Sequence, residues 1–533
     1  MYNTKPQMEQ SLSQKIIRNT IFNIIGRFWG ILVVLVLTPY IIGHIGIERY
    51  GIWAIVGVIT GYFGLLDFGI GTSFVKYIAE FYTKKDYDRI NQLVNTGFVF
   101  YLIFAILIIT LAFFVINPLL TFFKIPLHLY NEALFVFLLG IILFGISNTL
   151  SPFGAIQGGL QRMDISNKVA IAISIPMIMG TIFFLEKGYG LPGLMVNNAI
   201  ILVISSIINI IIAFKILPEL KFNLFLFSKD MFKKLFGFGY KLQVTRISGM
   251  VSLHIDKILI AYFLSLGFVT FYQLGSSIVD KAKSIPLLLT TALLPAFSEV
   301  NATGERERLI DGYTRGTKYL SLVTIPLFTF LIISAPNIMM VWMGQGYEMS
   351  IWIIQILALG WLFNILIGVG CSVVQAIEKP EIQMRASLIN TILNLTLSII
   401  LIIKFGFVGV VIGTSLSVFL GAGYFIRELH KELKLPIICF LKETVLNTLV
   451  ICICIGLLVW GLSFAIQGLF IDLNRIISLT IFLTQGILFF GLYLMALQYR
   501  KPFDRFDVVL LDRIPFVGDL MLRFTLEDRS VKP

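Results

Sequence analysis

The residues of this chain best suited to chemistry are charged and polar side chains set at helical spacing inside otherwise apolar stretches. Lys15, Asn19, Asn23 and Arg27 recur every fourth position, which stacks them on one helix face. Thr60, Gly64, Asp67 and Gly71 form a second stripe. Lys241, Thr245, Ser248, Ser252 and Asp256 form a third, with Arg246, His254 and Lys257 beside it. Gln273, Ser276, Asp280, Lys281 and Ser284 form a fourth. Arginine and lysine in such places suit anion binding; Arg27 and Arg246 lie about two turns into their runs. The acids Asp67, Asp256 and Asp280 suit either ion pairs with those cations or coupling to a proton or cation. Plainer readings stand beside these. Asn19 and Asn23 can hydrogen-bond a neighbouring helix, and Lys15, Lys76, Lys281 and Lys283 can snorkel to a membrane surface.

Other chemistries find no support. There is neither a GxxxxGK[ST] loop nor a GxGxxG turn for nucleotides. The cysteines (Cys371, Cys439, Cys452 and Cys454) form no CxxC pair, and the histidines (His44, His128, His254 and His430) lie far apart, so neither a metal nor a cofactor is expected. Before the C-terminal tail no polar segment exceeds about 25 residues. That leaves little room for the outward acid/base constellation of a glycan polymerase or ligase, and the chain reads as a non-enzyme.

The elements that must position these residues follow from composition. The chain has 533 residues, 57% hydrophobic and 14% charged, with a mean hydropathy of +0.90. Soluble domains carry about 25% charged residues, so hydrocarbon must solvate much of this chain. Apolar runs near 19–43, 50–74, 92–117, 130–155, 165–185, 191–214, 238–263, 268–296, 317–343, 350–376, 382–403, 407–427, 443–466 and 475–498 predict about 14 transmembrane helices in an all-α membrane protein. Pro39, Pro176, Pro286 and Pro326 mark expected kinks. The basic N-terminal segment leads into a retained first helix, since no small-residue cleavage site follows. With the N-terminus inside, inner segments hold 30 Lys and Arg against 5 in outer ones, which predicts both termini cytoplasmic. This asymmetry accounts for the net charge of +12 without nucleic acid.

The chain also repeats itself. Residues 157–193 and 375–409 both run from Gln through a polar turn and a spanning stretch to G-x-x-G, and 76–90 resembles 295–309. Six runs separate the copies, so the repeats are parallel, about an axis along the membrane normal. Two six-helix lobes are expected, over 1–225 and 226–435, the second preceded by an interfacial linker helix within 219–236. An accessory helix pair (436–500) and a cytoplasmic amphipathic tail (501–533) follow. The polar faces on runs 1, 2, 7 and 8 predict a net-positive cavity between the lobes.

Several segments resemble the oligosaccharide-lipid flippases of the multidrug/oligosaccharidyl-lipid/polysaccharide exporter superfamily, in its polysaccharide biosynthesis, Wzx-like branch. They are IGIERYGIWAIVGVITGYFGLLDFGIGTSFVKYIAEF (45–81), HIDKILIAYFLSLGFVTFYQLGSSI (254–278) and ALLPAFSE (292–299). The resemblance covers most of residues 15–430. It implies a multi-pass protein of the cell (inner) membrane that turns an undecaprenyl-pyrophosphate-linked oligosaccharide from the inner to the outer leaflet by alternating access, for cell-surface polysaccharide such as O-antigen. Membrane lipids, a polysaccharide polymerase and a chain-length regulator are the implied partners. Arg27 and Arg246 best fit the cationic lining of such cavities; Lys241 and Asn23 complete the candidate substrate site, with Asp67, Asp256 and Asp280 as ion-coupling or ion-pair candidates. The chain lacks the arginine-aspartate signature of the lipid II branch in its first helix. A cation-coupled multidrug exporter on the same scaffold is the alternative.

Overall fold

The computed structural model describes residues 5–65, 70–290, 293–468 and 474–500; within these, the side chains of 5–21, 24, 65, 72, 237–253 and 295 are not described. The described residues are helical throughout, apart from short turns and connections. In chain order the helices are α1 (Lys5–Leu65), α2 (Ile70–Thr83), α3 (Tyr87–Phe122), α4 (Tyr130–Gly159), α5 (Met163–Glu186), α6 (Gly190–Ile216), α7 (Lys229–Phe263) and α8 (Leu266–Thr290). They continue as α9 (Leu293–Ala302), α10 (Arg306–Trp342), α11 (Glu348–Leu366), α12 (Gly368–Ala376), α13 (Glu381–Leu433), α14 (Ile437–Leu441), α15 (Asn447–Gln467) and α16 (Arg475–Arg500). Among the described residues, ten helices are long and apolar enough to cross a membrane; α7 and α8, which bear two of the polar faces, are not among the ten.

Two of the ten fold back on themselves. α1 carries non-helical backbone at Gly46 (φ 80°, ψ 170°) and α13 at Gly406 (φ 60°, ψ −138°). A Cβ at either position would strain the chain, so glycine is what permits the bend. Across the Gly406 turn, Asn394 Nδ2 donates to Thr414 Oγ1 at 2.9 Å. The other copy of the sequence repeat turns at Gly190 (φ +54°), and there Asn197 Nδ2 donates to Thr181 Oγ1 at 3.1 Å. Pro39, Pro176, Pro286 and Pro326 all sit inside α-helices. The interruptions fall at glycines rather than at these prolines.

Side-chain exposure matches a lipid solvent. Along α3, Ile103, Leu107, Phe113 and Phe114 face outward, a pattern that water would not tolerate on this scale. The chain divides into two compact units: residues up to Gln273 with Ser398–Val410, and Leu274–Leu397 with residues from Val411 on. In the first unit, one end is a dense cluster of Phe74, Tyr77 and Phe81 of α2 against Tyr101 of α3 and Phe153 of α4. Glycine notches admit α2 there: a Cβ at Gly97 would fall 1.9 Å from the Phe74 ring, and one at Gly159 would fall 2.5 Å from Ile78.

The connection from α6 to α7 differs from the expected interfacial helix. Residues 217–228 hold only one 3-10 turn (Leu224–Leu226), and helix begins at Lys229. Two asparagines on α3 take the backbone instead. Asn91 donates to Glu219 O (3.0 Å) and accepts from Lys221 N (2.7 Å). Asn95 donates to Lys221 O (2.8 Å) and accepts from Asn223 N (2.9 Å), and Thr96 accepts from Ser228 N (2.9 Å). These side chains supply the bonds a helix would otherwise provide. The exposed Leu224, Phe225 and Phe227 keep the amphipathic character read from the sequence.

Candidate functional site

Polar side chains of α1 are used first to hold α5. Asn167 Nδ2 donates to Asn23 Oδ1 at 2.7 Å, Trp29 Nε1 to Ser174 Oγ at 2.7 Å, and Tyr40 OH to Glu186 Oε1 at 2.7 Å. The His44 ring lies 3.5 Å from the same carboxylate. Gly26 lets the helices touch, since a Cβ there would lie 2.3 Å from Asn167 Oδ1. Asn23 is thus engaged with a neighbouring helix. Arg27, one turn on, is exposed and makes no hydrogen bond or ion pair among the described residues.

Asp256 on α7 is 1% exposed. Tyr272 OH donates to its Oδ2 at 2.5 Å, and Ser398 Oγ lies 3.5 Å from Oδ1. Lys257 is buried beside it in sequence, and Tyr62 meets the His254 ring edge-on at 6.1 Å. A carboxylate this deep needs such donors, because a buried charge without hydrogen bonds is costly. Asp280 is placed differently. Its half-exposed carboxylate pairs with Lys283 at 2.6 Å, and the Lys283 ammonium sits 3.4 Å from the Trp361 ring centroid. Lys283, read from sequence as able to snorkel, is largely buried against that ring. The side chains of Lys241 and Arg246, and Asp67 altogether, lie outside the described residues.

Two features were not singled out by the sequence. A cavity of about 490 Å³ in the first unit is lined by Trp53, Thr60, Ser147, Asn198 and Ser205 among apolar groups; Thr60 belongs to the second polar stripe. At the end of α2, the ammonium groups of Lys76 and Lys234 lie 5.1 and 5.0 Å from the Tyr77 ring centroid. A hydrogen bond from Lys84, with Lys234 and Lys76 nearby, holds the Glu80 carboxyl below the usual range. Of the side chains that sequence missed, Tyr272 and Ser398 matter most, and no local signal marked either as a partner of Asp256. Among the described residues no group of three or more His, Cys, Asp or Glu gathers that would hold a metal.

Buried polar side chains within lipid-facing helices are compatible with a membrane transporter. Comparison with known proteins points the same way. A family model described as polysaccharide biosynthesis protein matches residues 16–301, more than half of the chain. A Shigella flexneri protein named "Putative O-antigen transporter" is 22% identical over 409 residues, covering 76% of this chain and 96% of that one. Among solved structures, a lipid II flippase MurJ in an inward closed conformation has a TM-score of 0.65 at 18% identity, over 90% of this chain and 97% of that one. A multidrug resistance MATE family transporter, inward-facing, has a TM-score of 0.60 at 14% identity, over 78% of this chain and 94% of that one. The chain is a multi-pass membrane protein and belongs to the polysaccharide biosynthesis protein family.

Proposed function

We propose that this protein moves an undecaprenyl-pyrophosphate-linked oligosaccharide from the inner to the outer leaflet by alternating access. The observation that carries the reading is Arg27: exposed on a spanning helix and without a hydrogen bond or ion pair among the described residues. A cation in that position costs about 2.5–3.5 kcal/mol in hydrocarbon, so it faces water or an anion. A pyrophosphate needs such partners, and Lys241 and Arg246 are the residues proposed to join Arg27 around it, with Asn23 at the margin. The likeness, over 76% of this chain and 96% of the relative, to a protein named as a putative O-antigen transporter supports a glycan cargo.

The topology proposed with it has fourteen crossings. Each glycine-bent helix, α1 and α13, counts twice, and α7 and α8 add two more. Both termini are inside, and residues 1–225 and 226–435 are the repeated lobes. A polysaccharide polymerase and a chain-length regulator would receive the product. Deletion of the gene tests the function: lipid-linked glycan should accumulate on the cytoplasmic leaflet. In proteoliposomes, Arg27→Ala combined with Arg246→Ala should slow flipping at least tenfold, about 1.4 kcal/mol of lost interaction. Flipping at the wild-type rate by that double variant would remove the cationic site.

A second reading, cation-coupled drug export, is favoured by one observation: the buried Asp256 with its Tyr272 donor. It requires that expression in a dye-sensitive host give resistance that Asp256→Asn or Asp67→Asn abolishes.

A further inference from the structure

In the second unit the ends of four helices meet: the last turns of α10 and α15 and the first turns of α11 and α16. They enclose a cavity of about 340 Å³, whose polar lining is Asn337, Gln345, Tyr347, Glu348, Gln467 and Ser478. Ligand sites begin at about this size. The carboxamides are fixed in a chain. Gln467 Nε2 donates to Asn337 Oδ1 at 3.1 Å, Asn337 Nδ2 to Gln485 Oε1 at 3.0 Å, and Gln485 Nε2 to Ser463 Oγ at 2.7 Å. Asn337, Gln485 and Ser463 are all buried, so the wall is rigid and its donors point one way.

Ser478 is the exception to this satisfaction. It is 1% exposed, lines the cavity, and its Oγ has no hydrogen-bond partner among the described residues. A buried hydroxyl without a partner is costly, and an entering hydroxyl would remove that cost. The nearby cation, Arg475, directs a guanidinium N–H to the Met343 carbonyl at 3.2 Å. Among the described residues no lysine or arginine lines the cavity. Amides, hydroxyls, the Glu348 carboxylate and one half-buried aromatic ring suit a neutral, hydroxyl-rich ligand, and the carboxylate repels a phosphate.

We propose that this cavity is a saccharide subsite that takes a neutral sugar of the glycan at the membrane face opposite the N-terminus, giving α15 and α16 a part in substrate binding. The inference rests on the glycan cargo and orientation proposed above. The full-length protein in nanodiscs is examined by saturation-transfer NMR with galactose and N-acetylglucosamine as probes, and with inorganic phosphate as competitor. Ser478→Val removes a hydroxyl that bonds nothing among the described residues, so its thermal stability should match or exceed wild type. Sugar binding should weaken about tenfold, as for one lost hydrogen bond. Tyr347→Ala, at the rim, should weaken binding without touching the amide chain. Equal sugar binding by wild type and Ser478→Val, or competition by phosphate, would overturn the subsite. Flipping is measured on the same preparations. Sugar bound by wild type and lost in Ser478→Val, with no flipping detected, leaves the subsite standing and removes the proposed function. Flipping without sugar binding by the wild type removes the subsite and spares the function.

Discussion

Two tyrosines of the first unit approach the same stretch of α7 and differ in one respect. The Tyr272 hydroxyl donates to the buried Asp256 carboxylate, whereas the buried Tyr62 hydroxyl has no hydrogen-bond partner among the described residues. Their conservative variants should therefore part company. Tyr272→Phe removes a hydrogen bond to a charged acceptor and should cost about 1.5–3 kcal/mol. Tyr62→Phe gives up no bond and should be neutral or mildly stabilising. Thermal unfolding of the purified protein in detergent, reported by aggregation or intrinsic fluorescence, separates the two. Equal losses would mean that the Tyr272–Asp256 contact does not operate in the membrane protein. The sequence marked Asp256 because a carboxylate in an apolar run is conspicuous. It did not mark Tyr272, because an aromatic there is unremarkable until the turn between α7 and α8 brings the two together. Ser398, 142 residues further on, had no local signal at all. Asn23 stood out for the same reason as Asp256, yet nothing local linked it to Asn167, at the start of the run 165–185.

At the scale of elements, bends are made by glycine and filled by small polar pairs. Gly406 adopts a conformation that a side chain resists, so Gly406→Ala should destabilise the α13 turn by about 1–2 kcal/mol. Gly491 in α16 is helical with open space where a Cβ would go. Its replacement by Ala should gain about 0.5–1 kcal/mol. Opposite signs in paired denaturation curves are the expected result; the same sign in both would show that the Gly406 turn relaxes freely. The spanning runs and the G-x-x-G turns were legible because hydrophobic length and glycine each carry a direct physical meaning. The 217–228 connection was not. Its mixture of one lysine with phenylalanines and leucines fits an interfacial helix equally well. The choice was made by Asn91 and Asn95, more than 120 residues earlier, whose amides fit an extended backbone.

For the whole molecule, the strongest sequence signal was the unequal distribution of lysine and arginine, and it makes a prediction that needs no assay of transport. Cysteines placed at Lys187 and Lys404 should react with a membrane-impermeant maleimide added outside. Cysteines at Lys229 and Lys431 should react only after permeabilisation. All four positions are exposed, so failure to label reports sidedness rather than burial. The inverse pattern would reverse the orientation and, with it, the direction of transport. Hydropathy told which stretches meet lipid, and the exposed Phe113 and Phe114 agree with it. It said nothing of the cavity at the ends of α10, α11, α15 and α16. Single glutamines in apolar runs become a lined pocket only when four helix ends converge.

The asparagine clasp on α3 also sets an order of events during synthesis. Asn91, Asn95 and Thr96 are all at most 3% exposed in the finished protein, and each is satisfied by backbone between Glu219 and Ser228. Until that segment leaves the ribosome, α3 is in the membrane with those groups open to water or to a rival. Synthesis proceeds at about 5–20 residues per second, so the interval lasts roughly 7–26 seconds. The nascent first unit is therefore left unlatched until residue 228 emerges, which makes this interval the natural point for an insertase or quality-control protease to act.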